Sequence, residues 1–390
     1  MQNISYQKAI DLLKLCSSDQ GFLASAQPIS NYKRVWARDG VICGLAALAS
    51  GDAQLIDTFK KTLETLAQHQ HSCGTIPSNV AFTQAGVDVS YGGLAGRVDA
   101  VTWYIIGHCQ YAYATQNPSW IDQHKASIEK CFALLQAWEF NNKHLLYVPL
   151  SGNWADEYIV EGYVLYDQLL RLWALKSYAY FVQSAEIQLK IKQVKQVIEA
   201  NFTDECPSEK FHPQAHQLHS FDDFFPCCFT PAGYKKPFDA FGNSLALMLE
   251  VGSYSFRKRV VRYYENLIEQ QKLGMVPAFW PPIFESDPEW NLLKNNCKYE
   301  FRNHPYEFHN GGSWPMVNGF VGWAISSYDA SLSQQLLTSI HQANAQEQGA
   351  FFENFNSQTT QPNGVPQCAW SAAGAVLLHQ KLHTNFKLLL

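Results

Sequence analysis

Long apolar runs are missing from this chain of 390 residues; none reaches the length of a membrane span. The opening MQNISYQKAIDLLKLCSSDQ has neither a basic start nor an uninterrupted apolar segment, which argues against a secretory signal peptide. An excess of one charge is missing too. The 29 basic and 34 acidic residues leave a net charge of −5, and the densest basic cluster, Arg257-Lys258-Arg259, fits one turn of an exposed helix. Nucleic acid and membrane surfaces are therefore not expected partners. No cysteines stand in CxxC spacing. The ten are scattered (Cys16, Cys43, Cys73, Cys109, Cys131, Cys206, Cys227, Cys228, Cys297, Cys368), several in apolar stretches, which suits a reduced, cytoplasmic compartment. The adjacent Cys227 and Cys228 read as two small apolar loop residues. Metal-ligand spacing is lacking as well: there is no HExxH, and His69 and His71 have no carboxylates at ligand spacing. The sequence implies no metal and no cofactor.

Aromatics are plentiful, at 14% with 11 Trp, 19 Tyr and 24 Phe, more than a core alone requires. Those outside a core suit flat apolar faces such as those of sugar rings. Apolar periodicity predicts helices near 5–16, 40–50, 53–69, 99–116, 119–139, 161–182, 184–201, 239–251, 253–271, 313–327, 329–345 and 366–382. The best strand candidate is HLLYVPL, His144 to Leu150. Long connections at 70–98, 140–160, 202–238, 272–312 and 346–365 alternate with short turns near 51, 118, 183, 252 and 328. That alternation predicts an all-α fold of paired helices about an axis, a single (α/α)6 barrel over 1–390 with minor β-hairpins in its loops. Long loops would gather at one end, and loops this long in a compact domain are usually functional.

Five motifs lie in or beside those loops. In SGNWADEYIVEGYVLYDQ, Ser151 to Gln168, Asp156 and Glu157 follow Trp154 in a loop entering an aromatic helix near Glu161. A carboxyl group so placed, beside an indole face, is what protonating a glycosidic oxygen requires. Asp156 is the candidate acid, Glu157 its competitor, and Trp154 and Gln168 are candidate contacts; both acids would also suit a helix N-terminus on electrostatic grounds alone. In RVWARDG, Arg34 to Gly40, Arg38 and Asp39 offer a donor–acceptor fork for sugar hydroxyls, with Trp36 as a wall; the bland alternative is an N-cap with its salt bridge. RVDAVTWY, Arg97 to Tyr104, sets Asp99 at a helix start and Trp103 one turn on, as two contacts or as a cap over a buried Trp. MVPAFWPPIFESDPEW contributes Trp280, and EFHNGGSWP, Glu307 to Pro315, contributes His309, Asn310 and Trp314 around flexible glycines. In Gly349 to Leu378, Glu353 sits between Phe352 and Asn354, while Gln367 and Trp370 open the last helix.

Together these segments resemble glycoside hydrolase family 100, the neutral and alkaline invertases. The likeness lies in VWARD (Val35 to Asp39), VDAVTWY (Val98 to Tyr104), FGNSLAL (Phe241 to Leu247), HNGGSWP (His309 to Pro315) and the Glu353 loop followed by AWSAAG. The Glu353 segment is equally similar to family 63, which includes α-glucosidases and hydrolases of mannosyl- and glucosylglycerate. RVDAVTWY and the TIPSN turn also resemble the amylo-1,6-glucosidase group. The resemblance implies inverting hydrolysis of a small saccharide. Asp156 would be the acid and Glu353 the base, with Arg38, Asp39, Asp99, His309, Asn310 and Trp314 around the sugar. One departure weakens sucrose as substrate: the invertases' Arg-Arg stretch after the acid is replaced by Glu157-Tyr158. A sugar isomerase or epimerase is the competing class, and it would call for a pair of histidines where His309 stands alone. An oligomer is compatible with the sequence.

Overall fold

The computed structural model of the chain describes residues 2–221 and 223–390. Fifteen helices run through the described residues: α1 (Gln2–Leu15), α2 (Ala37–Ser50), α3 (Ala53–Gln68), α4 (Val98–Ala114), α5 (Ser119–Ala137), α6 (Leu165–Phe181), α7 (Ala185–Phe202), α8 (Pro213–Leu218), α9 (Ala240–Met248), α10 (Tyr254–Gln270), α11 (Trp290–Asn296), α12 (Pro315–Ile325), α13 (Ala330–Asn344), α14 (Gln346–Gly349) and α15 (Ala369–His383). All twelve expected helices are present. The short α8, α11 and α14 lie within long connections.

Six helices close a ring. Helix α2 packs on α4, α4 on α6, α6 on α9, α9 on α12, α12 on α15, and α15 returns to α2. Every residue of α9 and α12 is buried, because an inner helix touches neighbours on all sides. The outer helices α1, α3, α5, α7, α10 and α13 bury a single stripe. In α3 it is Leu55, Thr58, Phe59, Thr62, Leu63 and Leu66; in α10 it is Phe256, Val260, Tyr264, Leu267 and Ile268. This is the (α/α)6 barrel. Inner α12 and α15 approach so closely that a Cβ on Gly319 would stand 2.4 Å from the Gly374 carbonyl oxygen. The segment after α15 packs onto α4 and α6: the Leu389 carbonyl accepts from Gln110 Nε2 at 2.6 Å, Trp173 Nε1 at 2.7 Å and Ser177 Oγ at 3.2 Å.

Among the described residues five small sheets decorate the loops, the largest linking Val35–Trp36, Asn79–Thr83 and Gly86–Ser90. The strand expected at 144–150 does not form. Val148 makes one bridge, to Gly162, while the Gln168 side chain satisfies both backbone groups of Leu146, at 2.8 and 2.9 Å. The helix expected near Glu161 begins at Leu165, because Tyr163–Val164 pairs with Cys228–Phe229 first. The last helix begins at Ala369 rather than 366, since Gln367 holds φ +51.

Candidate active site

The six inner helices present their N-terminal turns at one end of the ring. Asp39, Asp99 and Asp167 occupy first turns of α2, α4 and α6, and Asp239 caps α9, its Oδ1 accepting from the Gly242 N–H at 2.9 Å. Unpaired N–H groups and the aligned peptide dipoles favour acids there. A cavity of about 700 Å³ opens at this end, against the starts of α2, α12 and α15. Its wall includes Trp36, Arg38, Asp39, Trp154, Asp156, Glu157, His309, Trp314, Glu353 and Trp370. Asp156 and Glu353, from the loops preceding α6 and α15, thus meet in one pocket.

The two carboxylates have different surroundings. Glu353 is buried; Tyr32 donates its phenol to Oε1 at 2.7 Å, and the Val365 N–H approaches Oε2 at 3.4 Å. Burial pushes its pKa up to about 7, with the Tyr32 hydrogen bond and Arg302 pulling the other way. Gly364 passes directly over it: at φ +72, an added Cβ would sit 2.4 Å from Glu353 Oε2. Asp156 is more open. Arg97 donates to its Oδ2 at 2.8 Å and also to the Ser151 carbonyl, tying the acidic loop to the start of α4. Among the described residues nothing donates to Oδ1. The apolar company expected of Trp154 is directed elsewhere, since its indole stacks on Phe279 at 5.9 Å and meets Trp314 edge-on at 5.6 Å. Glu157 is engaged through both oxygens by Arg302; burial raises its pKa and that ion pair opposes the rise.

The rest of the wall is aromatic and polar. His309 stacks on Trp314 at 5.1 Å with rings nearly parallel, and Trp370 meets Trp314 edge-on at 5.6 Å. Burial, with Arg302 and Arg38 nearby, holds His309 well below the usual histidine range, so it is neutral. Arg38 pairs with Asp99 at 3.1 Å and Asp39 at 3.6 Å, and lies over the Trp370 ring. Burial raises Asp39 to about 6, with Arg38 opposing. Several buried polar atoms of this wall have no hydrogen-bond partner among the described residues: Arg38 Nε, Asp39 Oδ2, His309 Nδ1 and Trp370 Nε1. Buried polar atoms are normally satisfied, so such a set around a cavity marks where a hydroxylated ligand can bond.

Six expected contacts do not line the cavity. Asp99 and Trp103 stand behind it in a relay: Trp103 Nε1 donates to Tyr166 Oη at 2.8 Å, Tyr166 donates to Asp99 Oδ2 at 3.3 Å, and Asp99 holds Arg38. Gln168 serves Leu146. Asn310 brackets the Ile283 backbone at 2.7 and 2.8 Å. Trp280 pairs with Phe238, and the Gln367 side chain accepts from Gln27 Nε2 at 2.8 Å. Residues unforeseen from the sequence take their places: Tyr32 on Glu353, Arg97 on Asp156, Arg302 on Glu157, and Asn303, whose Oδ1 accepts from the His309 and Asn310 N–H groups at 3.0 and 3.1 Å. The first three partnerships span 321, 59 and 145 positions, and no local pattern announces them; Asn303 lies only six and seven positions from its partners.

No protein-family model matches the sequence, and no curated protein does. Solved structures do. A family 63 mannosylglycerate hydrolase from Thermus thermophilus, in complex with glucose, aligns with TM-score 0.68 at 14% identity over 95% of this chain and 98% of that one. A glycosidase variant in complex with glucose aligns with TM-score 0.65 at 10% identity, over 98% and 96%. A family 78 rhamnosidase of Bacillus sp. GL1 aligns with TM-score 0.64 at 14% identity, over 97% of this chain and 34% of that one. The shared feature is the fold.

Proposed function

We propose that the chain is an inverting glycoside hydrolase acting on a small α-linked saccharide such as a short α-glucoside, with Asp156 as general acid and Glu353 as general base. One observation carries the reading: Asp156 and Glu353 line a single cavity whose wall also carries indoles and buried polar atoms without a hydrogen-bond partner among the described residues. The glycosidase neighbours support the reaction class, and two of them hold glucose. The sugar to be cleaved lies against Trp314, Trp370 and Trp36, with hydroxyls on Arg38, Asp39 and His309. Asp156, held through Oδ2 by Arg97, delivers a proton from Oδ1 to the leaving oxygen. Glu353, held through Oε1 by Tyr32, takes a proton through Oε2 from water attacking the opposite face. Inversion requires about 6.5–9.5 Å between the carboxyl groups to seat that water. Glu157 is the weaker candidate for the acid, because Arg302 occupies both its oxygens.

A second reading, hydrolysis of a glycosyl-glycerate, is favoured by the mannosylglycerate hydrolase among the neighbours. An epimerase that shuttles protons between two imidazoles finds only His309 among the described residues of the cavity wall. The test is a screen of purified protein against α-linked disaccharides and glycosyl-glycerates, with the released anomer followed by NMR. Asp156→Asn and Glu353→Gln should each lose about 10²–10⁴-fold in kcat, the range for one general acid or base. Near-normal turnover in both variants would end the assignment.

A further inference from the structure

We infer that the leaving group this site accepts is a neutral sugar ring rather than an anionic acyclic acid such as glycerate; the inference rests on the hydrolase reading above. The first support is charge. The cavity wall carries five carboxyl groups (Asp39, Asp156, Glu157, Glu300, Glu353); with Asp156 protonated as the general acid, four carboxylates still stand against two guanidiniums, Arg38 and Arg302. Both guanidiniums are committed, Arg38 to Asp99 and Asp39, Arg302 to both oxygens of Glu157. Arg97, behind the wall, is committed to Asp156. An incoming carboxylate would meet a negative surplus with no unpaired cation among the described residues of the wall, and like charges brought together in a desolvated site repel strongly.

The second support is the mouth. The deep wall is buried, with Trp314 at 1% and Trp370 at 3% exposure, whereas Tyr299 on the rim is 90% exposed. Phe301 and the half-exposed Ile29 line the same cavity. Lys298 lies over the Tyr299 ring, 5.2 Å from its centroid, but does not line the cavity. An aromatic ring displayed at the rim of a polar pocket offers a flat apolar face, which a pyranose can cover and a three-carbon acid cannot. The cavity volume of about 700 Å³ falls within the range that holds drug-sized ligands, beyond what a single hexose fills.

The test compares three substrates with one cleaved sugar and different leaving groups: a disaccharide, a glycosylglycerol and a glycosylglycerate, in glucosyl and mannosyl series, at pH 8 and low salt. In kcat/KM the disaccharide should lead, and glycosylglycerol should exceed glycosylglycerate by at least about tenfold, a gap that salt narrows. Tyr299→Ala should lower the disaccharide-to-glycosylglycerol ratio about tenfold, mainly through KM. A glycosylglycerate cleaved as well as its glycerol counterpart would overturn the inference, as would an unchanged ratio in Tyr299→Ala. If none of the three is cleaved, the hydrolase reading fails on its own. Calorimetric binding of the glycerol and glycerate pair to the wild-type protein then decides the preference: tighter glycerol binding upholds it, and equal or tighter glycerate binding overturns it.

Discussion

Replacing Glu353 by Gln should lower kcat by about 10²–10⁴-fold and, above neutral pH, make the protein more stable. In the folded chain, burial raises the Glu353 carboxyl from 4.5 to about 7. The folded state therefore holds the proton more tightly than the unfolded chain does. The stabilising contribution of the protonated form is complete below about 4.5 and is lost as pH rises through about 7. At about 1.36 kcal/mol per unit, the loss is about 3 kcal/mol. Glutamine carries no charge at any pH and escapes it. Its carbonyl can still accept from Tyr32, although an amide nitrogen facing the Val365 N–H gives up a long contact, a pH-independent cost of about 1 kcal/mol. Urea unfolding of both proteins at pH 5 and pH 8.5 measures the difference. The variant should gain about 2.5 kcal/mol on wild type between the two conditions, since a little of the loss has already occurred at pH 5. A difference that stays flat would mean that Glu353 is not desolvated, and the electrostatic account of the base would fail with it.

Other outcomes follow from the same geometry. Activity should fall as pH drops below about 7, because Glu353, as the proposed base, must be ionised to accept a proton; a rate profile that stays level down to pH 5 would contradict this. Tyr32→Phe removes the donor that favours the ionised base, so the acid limb of kcat should move to higher pH while the fold, by circular dichroism, is retained. Gly364→Ala places a methyl group against Glu353 Oε2 at a positive φ, and should lower kcat more than tenfold with a small change in unfolding midpoint. Asp99→Asn leaves Arg38 without its principal charge partner and should raise KM more than it lowers kcat, read from initial rates on the best disaccharide.

The barrel was legible because its rhythm is local. Paired helices joined by alternating long and short connections leave a periodic trace, and twelve expected helices correspond to twelve in the ring and its outer layer. The candidate site was legible only in part. A polar residue in the first turn of a buried helix looks the same whether it faces the cavity, as Asp39 does, or a neighbouring helix, as Asp99 does. Inner helices buried on every side have no polar stripe to tell the two apart. Asn310 and Gln168 gave the signature of ligand contacts, yet each occupies its amide with a distant backbone segment. Tyr32 and Glu353 lie 321 positions apart, and only closure of the ring brings the last helix beside the first inner one.

Trp314 and Trp370 stand one turn above the place where their two helices touch through Gly319 and Gly374. A single methyl group added there would wedge the pair apart and spread the two indoles, without altering any side chain that meets a ligand. The placing of the two indoles on the cavity wall is thus kept by hydrogen atoms beneath them, and a survey confined to the pocket's own lining would overlook what sets it.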